Sequence, residues 1–230
     1  TPIVVNDSRG FYTSRVFGTF VKEGIALLTD AHPASIENAA YMAGFPVGPL
    51  AITDEVSLTL LEKISSQTKA DLALEGKTLT AHPADKIIND MIAKGRSGKA
   101  NGAGFYQYPA DAKKHLWSEL TAYNSESNTE NKAISFIDIK ERMLFIMAIE
   151  TARCVEEGVI RSTGDGNIGS VFGIGYPQWT GGTLQFINQY GLAKFITRAE
   201  ELTALYGERF SVPASLRDML ASGQAFKGEN

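Results

Sequence analysis

The sequence predicts an all-α protein made of two related helical units in tandem. Apolar residues recur at helical spacing through most of the chain. Glycine and proline break that pattern at intervals suited to helix–turn–helix units, and the second half repeats the order of the first. With 230 residues, 43% hydrophobic and 21% charged, the chain has an ordinary globular composition and room for one large domain or two small ones.

From Gly10 to Thr29, the residues Val16, Phe17, Phe20, Val21, Leu27 and Leu28 form one apolar stripe, as an amphipathic helix requires. Pro33 suits a first helical position, Ile36, Ala40 and Ala43 continue the helix, and Gly44 is a suitable stop. Gly44-Phe45-Pro46-Val47-Gly48-Pro49 then reads as a stiff turn. Helices are expected over 50–55, 57–75 and 84–94. A glycine-rich loop, 95–104, leads into Phe105-Tyr106, and the polar stretch 123–132 is the best linker candidate. A second series follows over 135–157, 167–173, 182–190, 192–206 and 214–222, the last bracketed by Pro213 and Gly223. Ile3-Val4-Val5 reads as the end of a β-strand with no sheet to join, which creates the expectation of a missing upstream part.

The repeat can be followed residue by residue. Arg15 to Glu23 aligns with Arg142 to Glu150, Gly44-Phe45-Pro46 with Gly175-Tyr176-Pro177, and Leu50-Ala51-Ile52 with Leu184-Gln185-Phe186. A small change of offset fits an insertion around 162–166. The domains expected are 1–112 for the first unit, 113–133 for the linker and 134–230 for the second. Two copies are too few for a solenoid; they suit units that cover each other's apolar faces. Chance likeness of two helix–turn–helix stretches is the alternative.

Several function classes are excluded. A net charge of −4 and a pI near 5.5 give no electrostatic footprint for nucleic acid, and no apolar run approaches a membrane span. The single cysteine, Cys154, reads as a small buried hydrophobe. His32 and His82 each precede a proline at a helix start, where capping or exposure is expected, and His115 has no obvious orienting carboxylate. No histidine pair has helical ligand spacing, so no metal site is expected. A dinucleotide needs a strand, a glycine loop and a helix in succession. The loop 95–104 follows a helix and fits neither that fingerprint nor a phosphate-binding loop, so no cofactor-binding residue is assigned. Asp54, Glu55 and Glu23 read as helix surface or interhelix partners, and Arg15 and Arg142, equivalent in the repeat, as structural ion-pair residues.

Four segments, in order, carry a likeness to a known family: Val4-Val5-Asn6-Asp7-Ser8-Arg9-Gly10-Phe11-Tyr12-Thr13-Ser14-Arg15, then Gly44 to Pro49 with Asp54-Glu55-Val56, then Gly95-Arg96 through Asn101-Gly102-Ala103-Gly104-Phe105-Tyr106, and Gly175-Tyr176-Pro177-Gln178-Trp179-Thr180-Gly181-Gly182. Together they cover nearly the whole chain. They resemble the 3-hydroxyacyl-CoA dehydrogenases, and most closely the multifunctional fatty-acid oxidation enzymes. The resemblance implies NAD-dependent oxidation of an L-3-hydroxyacyl-CoA to the 3-ketoacyl-CoA in β-oxidation. It implies a preceding Rossmann domain that holds the NAD and supplies the catalytic histidine and glutamate. Residues 3–5 would be the remnant of that domain's last strand, and the repeat would be a covalent pseudo-dimer. This chain alone is then expected to bind no NAD and to be inactive.

The resemblance also assigns residues. Ser14 falls where the family's Gly-Phe-x-x-Asn-Arg motif has the asparagine that reaches the substrate's reacting oxygen, although trifunctional-type relatives also carry a hydroxyl there. Ser14 is either that polar contact or a plain first-turn residue. Pro46, Pro49 and Leu50 match the turn lining the acyl side of the cleft, or are a structural turn. Arg96 and Lys99 touch a CoA phosphate, or belong to a solvated loop. A thiolase subunit is the further partner implied, in a bacterial cytoplasm or, in a eukaryote, the mitochondrial or peroxisomal matrix. The alternatives are a non-catalytic helical assembly module and the C-terminal domain of a small hydroxy-acid dehydrogenase.

Overall fold

The computed structural model describes residues 2–127 and 134–227. Eleven α-helices lie among them: α1 (Thr13–Ala26), α2 (Pro33–Ala43), α3 (Pro49–Val56), α4 (Leu58–Leu74), α5 (Pro83–Ala93), α6 (Thr121–Ser127), α7 (Phe136–Glu156), α8 (Thr163–Ile168), α9 (Thr183–Tyr190), α10 (Leu192–Tyr206) and α11 (Ala214–Ala221). Two two-residue strands, β1 (Tyr106–Gln107) and β2 (His115–Leu116), form an antiparallel hairpin. The all-α expectation holds. No described helix is long and apolar enough to cross a membrane.

The chain forms two compact units that do not follow the repeats. One is Thr1–Phe20, Tyr41–Pro46 and Lys140–Asn230; the other is Val21–Ala40 and Val47–Ile139. The first unit therefore gathers two segments from the N-terminal part of the chain with its C-terminal part. Its core is aromatic. Phe145 stacks on Phe195 with centroids 4.4 Å apart and meets the edges of Tyr190 and Phe186 at 5.0 and 5.7 Å. Tyr176 packs edge-on to Phe45 at 5.9 Å, Phe45 stacks on Phe20 at 4.5 Å, and the Tyr176 hydroxyl donates to Leu144 O at 3.2 Å. The equivalent turn residues Phe45 and Tyr176 thus pack on each other. Losing a buried ring of this kind costs about 3–5 kcal/mol.

The second unit is aliphatic, built on Ile25, Leu27, Leu28, Ile36, Leu50, Leu58, Ile87, Ile88 and Met91. Gly24 lets α3 approach closely, because a Cβ there would lie 2.2 Å from Pro49 Cβ. His32 and His82 are both caps: their Nδ1 atoms accept the N–H of Ala34 and of Ala84, each at 3.2 Å, and Asp85 completes a capping box by accepting from His82 N at 2.9 Å. Such caps satisfy helix-start donors that otherwise lack partners.

Three expectations need correction. Residues 123–127, read as linker, belong to α6, and 115–120 form β2 and a 3-10 turn; residues 128–133 lie outside the described residues. The 162–166 stretch starts α8, with Ser162 Oγ accepting from Asp165 N at 3.0 Å. Gly166 is there because a Cβ would lie 2.9 Å from Leu184 Cδ1. The helix expected over 167–173 is the end of α8 followed by a π-helical turn, Gly169–Gly173. Finally, Val5 is not partnerless: it bridges Ile160, and Asn6 N donates to Val159 O at 2.9 Å.

Candidate functional site

The motif Asn6 to Arg15 lies in the first compact unit, and most of its side chains have fixed partners. Asn6 Nδ2 donates to Gly158 O at 2.8 Å. Gly10 and Phe11 both have positive φ, 76° and 48°, unusual for an aromatic residue. Phe11 N closes this turn on Ser8 O at 2.8 Å. Tyr12 is buried and its hydroxyl donates to Gly166 O at 2.7 Å; burial raises its pKa. Arg15 pairs with Glu150 and, through two nitrogens, with Glu157. The Glu157 pair holds the guanidinium pKa above its ordinary value and lowers that of Glu157. The expectation of a structural ion pair holds for Arg15. Its repeat equivalent Arg142 is 1% exposed and stacks over the Tyr206 ring at 4.1 Å.

Ser14, one helical step into α1, is exposed, as are Asn6, Asp7, Arg9, Gly10 and Phe11 before it. The π-helical turn packs against this stretch. A Cβ on Gly169 would lie 2.8 Å from Tyr12 Cε1, and one on Gly173 would lie 3.1 Å from Thr13 Cγ2. Phe172 on that turn is 74% exposed. A strained aromatic turn and a π-helical turn are both features that concentrate at functional places. No residue pattern in the chain signals the π turn at Gly169–Gly173. Pro46, in the same unit, is exposed and faces Gly175, whose Cβ would lie 2.9 Å from Pro46 Cγ.

In the second unit, Pro49 and Leu50 begin α3 and are buried. Glu37 holds that helix start: Oε1 accepts Leu50 N at 2.8 Å and Oε2 accepts the Tyr106 hydroxyl at 2.7 Å. Burial pushes the Glu37 carboxyl pKa up.

The glycine-rich loop 95–104 wraps an acid of the chain itself. Asp54 accepts from Phe105 N and Tyr106 N, each at 2.8 Å, and from the Tyr108 hydroxyl at 2.9 Å. A Cβ on Gly104 would fall 2.0 Å from Asp54 Oδ1, and one on Gly98 would fall 2.7 Å from Asp54 O. These glycines make room for a carboxylate, and the amides that could greet a phosphate are already donated. Of the two readings expected for Asp54, helix surface or interhelix partner, the buried anchor matches the second. Arg96 is 7% exposed, donates to Gly104 O at 2.9 Å and Tyr106 O at 3.1 Å, and stacks 4.1 Å over Trp117. These contacts fasten the loop. Lys99 is exposed but pairs with Glu55 at 2.7 Å.

NAD does not fit the described residues, since no strand–glycine loop–helix exists and the one glycine-rich loop is filled by Asp54. Among the described residues no group of three or more His, Cys, Asp or Glu could hold a metal. His82 Nε2 lies 3.9 Å from the buried Glu23 carboxylate, with its other nitrogen spent on the cap.

The described residues form a helical domain without a strand–glycine loop–helix dinucleotide cradle. Residues 10–108 match the family described as "3-hydroxyacyl-CoA dehydrogenase, C-terminal domain". The chain is 36% identical over 227 residues to the fatty acid oxidation complex subunit alpha of Shewanella amazonensis, and 35% identical over 232 residues to that of Shewanella frigidimarina. Each match covers 98% of this chain, and the chain spans 31% of the length of either relative. Its fold is shared with 3-hydroxybutyryl-CoA dehydrogenase from Escherichia coli K12, at a TM-score of 0.74 and 18% identity, covering 97% of this chain and 62% of that one. The dehydrogenase part of multifunctional enzyme 1 from C. elegans gives a TM-score of 0.66 at 19% identity, covering 94% and 49%.

Proposed function

We propose that this chain is the substrate-side helical portion of an NAD-dependent L-3-hydroxyacyl-CoA dehydrogenase of fatty-acid β-oxidation. The observation that carries the reading lies in the Asn6–Arg15 motif, whose second half opens the family match: the side chains of Asn6, Tyr12 and Arg15 are bonded within the fold, and Ser14 is exposed. In this reading Ser14 donates its hydroxyl proton as a hydrogen bond to the substrate's oxygen, Pro46 bounds the acyl side, and Pro49 and Leu50 keep the turn rigid. NAD, a proton-accepting imidazole and its carboxylate partner are supplied by residues outside this sequence. Residues 1–112 and 134–230 are two copies of one helical unit. The substrate is an acyl-CoA, and a thiolase subunit is the further partner. The bacterial source of the relatives favours a cytoplasmic enzyme.

Two measurements test the reading. The chain alone, mixed with a 3-hydroxyacyl-CoA and NAD, should yield no NADH; turnover at ordinary enzyme rates would refute the division of labour. In the protein joined to its NAD-binding domain, Ser14→Ala should lower kcat/KM by about tenfold, the worth of one hydrogen bond in a desolvated site. Folding stability should not change. Unaltered kinetics would reduce Ser14 to a plain helix residue.

A further inference from the structure

The segment Gly166–Gly182 carries no charged side chain, yet Ile168, Phe172 and Trp179 within it are exposed. Apolar side chains grouped on a surface mark a place that receives something apolar. The path of the segment is fixed by close approaches, all inside the first compact unit. Gly169 lies against Tyr12 and Ile3, Gly173 against Thr13, and Gly175 against Pro46. Farther along, Trp179 Nε1 donates to Ala43 O at 2.7 Å, and a Cβ on Gly44 would lie 2.9 Å from Trp179 Cδ1. The strip therefore leads from the residue beside Ser14 to Pro46. At most about 7 Å of extended chain separates Gly173 from Gly175.

The π-helical turn is what presents Phe172. Ser170, fully buried, anchors that turn: its Oγ donates to Asn167 O at 2.8 Å and accepts Thr183 N at 3.1 Å, and its carbonyl accepts Tyr176 N at 2.9 Å. Gly169 and Gly173 are spent on the approach to Tyr12 and Thr13, and the Phe172 ring between them stays exposed. The ring is thus held in place by a bonded turn while making little contact of its own.

We propose that Phe172 contacts the acyl chain of the substrate and sets the preference for its length. The inference rests on the reading of Ser14 as the contact to the substrate's oxygen. An alkyl chain leaving that end of the substrate toward Pro46 passes over Val171–Gly175. A strip without charge suits an alkyl chain and offers no cation to the phosphates of CoA.

The test is kcat/KM for two substrates in the protein joined to its NAD-binding domain. Phe172→Ala should lower the value for 3-hydroxydodecanoyl-CoA by about tenfold and leave that for 3-hydroxybutyryl-CoA within about twofold, because the shorter substrate has only a methyl group beyond its reacting carbon. Phe172→Leu should recover most of the loss, whereas Ser14→Ala should lower both substrates alike. Equal loss at both lengths in Phe172→Ala, as expected of a ring packed on another part of the protein, or no loss at either, would overturn the proposal and leave the reading of Ser14 standing. A dodecanoyl-CoA with a diazirine on its alkyl chain gives a readout that needs no turnover: photolysis should label Val171–Ile174. Label there in a protein that oxidises no 3-hydroxyacyl-CoA would sink the dehydrogenase reading and keep the acyl contact; label confined to other segments would sink the contact.

Discussion

Glu37 accepts the backbone N–H of Leu50 at 2.8 Å, capping α3 from thirteen residues upstream. The second repeat makes the same arrangement with a different side chain. Asn167 Oδ1 accepts the N–H of Leu184 and of Gln185, each at 3.1 Å, at the start of α9. The residue before each helix is a glycine, Gly48 or Gly182, whose Cβ would lie 2.5 Å from the Glu37 carboxylate or 2.6 Å from Asn167. Two unrelated side chains therefore satisfy the same orphan donors, and glycine is what admits them.

Glu37→Ala should lose about 1–3 kcal/mol, because Leu50 N and the Tyr106 hydroxyl lose their partner in a buried place. Gly48→Ala should destabilise as well, by forcing the acid away. Urea unfolding measures both, and a near-unchanged midpoint for Glu37→Ala would mean the cap contributes nothing.

Arg96 ties two loop carbonyls and the Trp117 ring together. Arg96→Ala should cost about 2–4 kcal/mol, since buried acceptors lose a charged donor. Arg96→Lys should recover little of it, as an ammonium cannot span both carbonyls in one plane. Trp117 emission should shift in both variants. Full recovery by lysine would show that charge, not the planar fork, is what matters.

Burial raises the carboxyl pKa of both Glu37 and Asp54 against the donors that face them. The donors are the Leu50 and Ala51 amides and the Tyr106 hydroxyl at Glu37, and the Phe105 and Tyr106 amides and the Tyr108 hydroxyl at Asp54, while the charges of Lys114 and Arg96 act on Glu37 and Asp54 through space. A folded-state pKa above the unfolded value makes the proton favour the fold. The contribution is complete below the ordinary carboxylate pKa of about 4 and is lost as pH rises through the raised values. Asp54→Asn should therefore flatten the fall of stability between acid and neutral pH. An unchanged slope counts against the assignment.

Cys154 is fully buried, and desolvation pushes its thiol up to about 12. It should resist thiol reagents at neutral pH and react completely in denaturant, because the thiolate is the reactive form. Fast labelling of the native chain would contradict its placement.

Much of the fold was legible because its signals are local. Pro33 and Gly44 delimit α2, and the apolar stripe with Gly191 and Gly207 on either side delimits α10. His32 and His82 read as caps because each stands before a proline. Where a residue's role depends on a distant partner, the reading stayed open. Arg96 read as a phosphate contact or a solvated loop residue and Asp54 as helix surface or interhelix partner, and they hold each other's neighbourhood from forty-odd positions apart. The glycines at 48, 98, 104 and 182 were the available hint, since each marks a close approach without naming what approaches.

The sequence by itself determined the helical class, the turns and the likeness to a family, because periodicity, punctuation and motif order are written along the chain. Tertiary structure alone decided that Thr1–Phe20 and Tyr41–Pro46 group with Lys140–Asn230, that the glycine loop encloses Asp54, and that Ser14 is exposed while Asn6, Tyr12 and Arg15 are bonded. Those outcomes depend on burial and on hydrogen bonds across more than a hundred residues, as between Tyr12 and Gly166 or Arg15 and Glu150. No local pattern encodes such pairings.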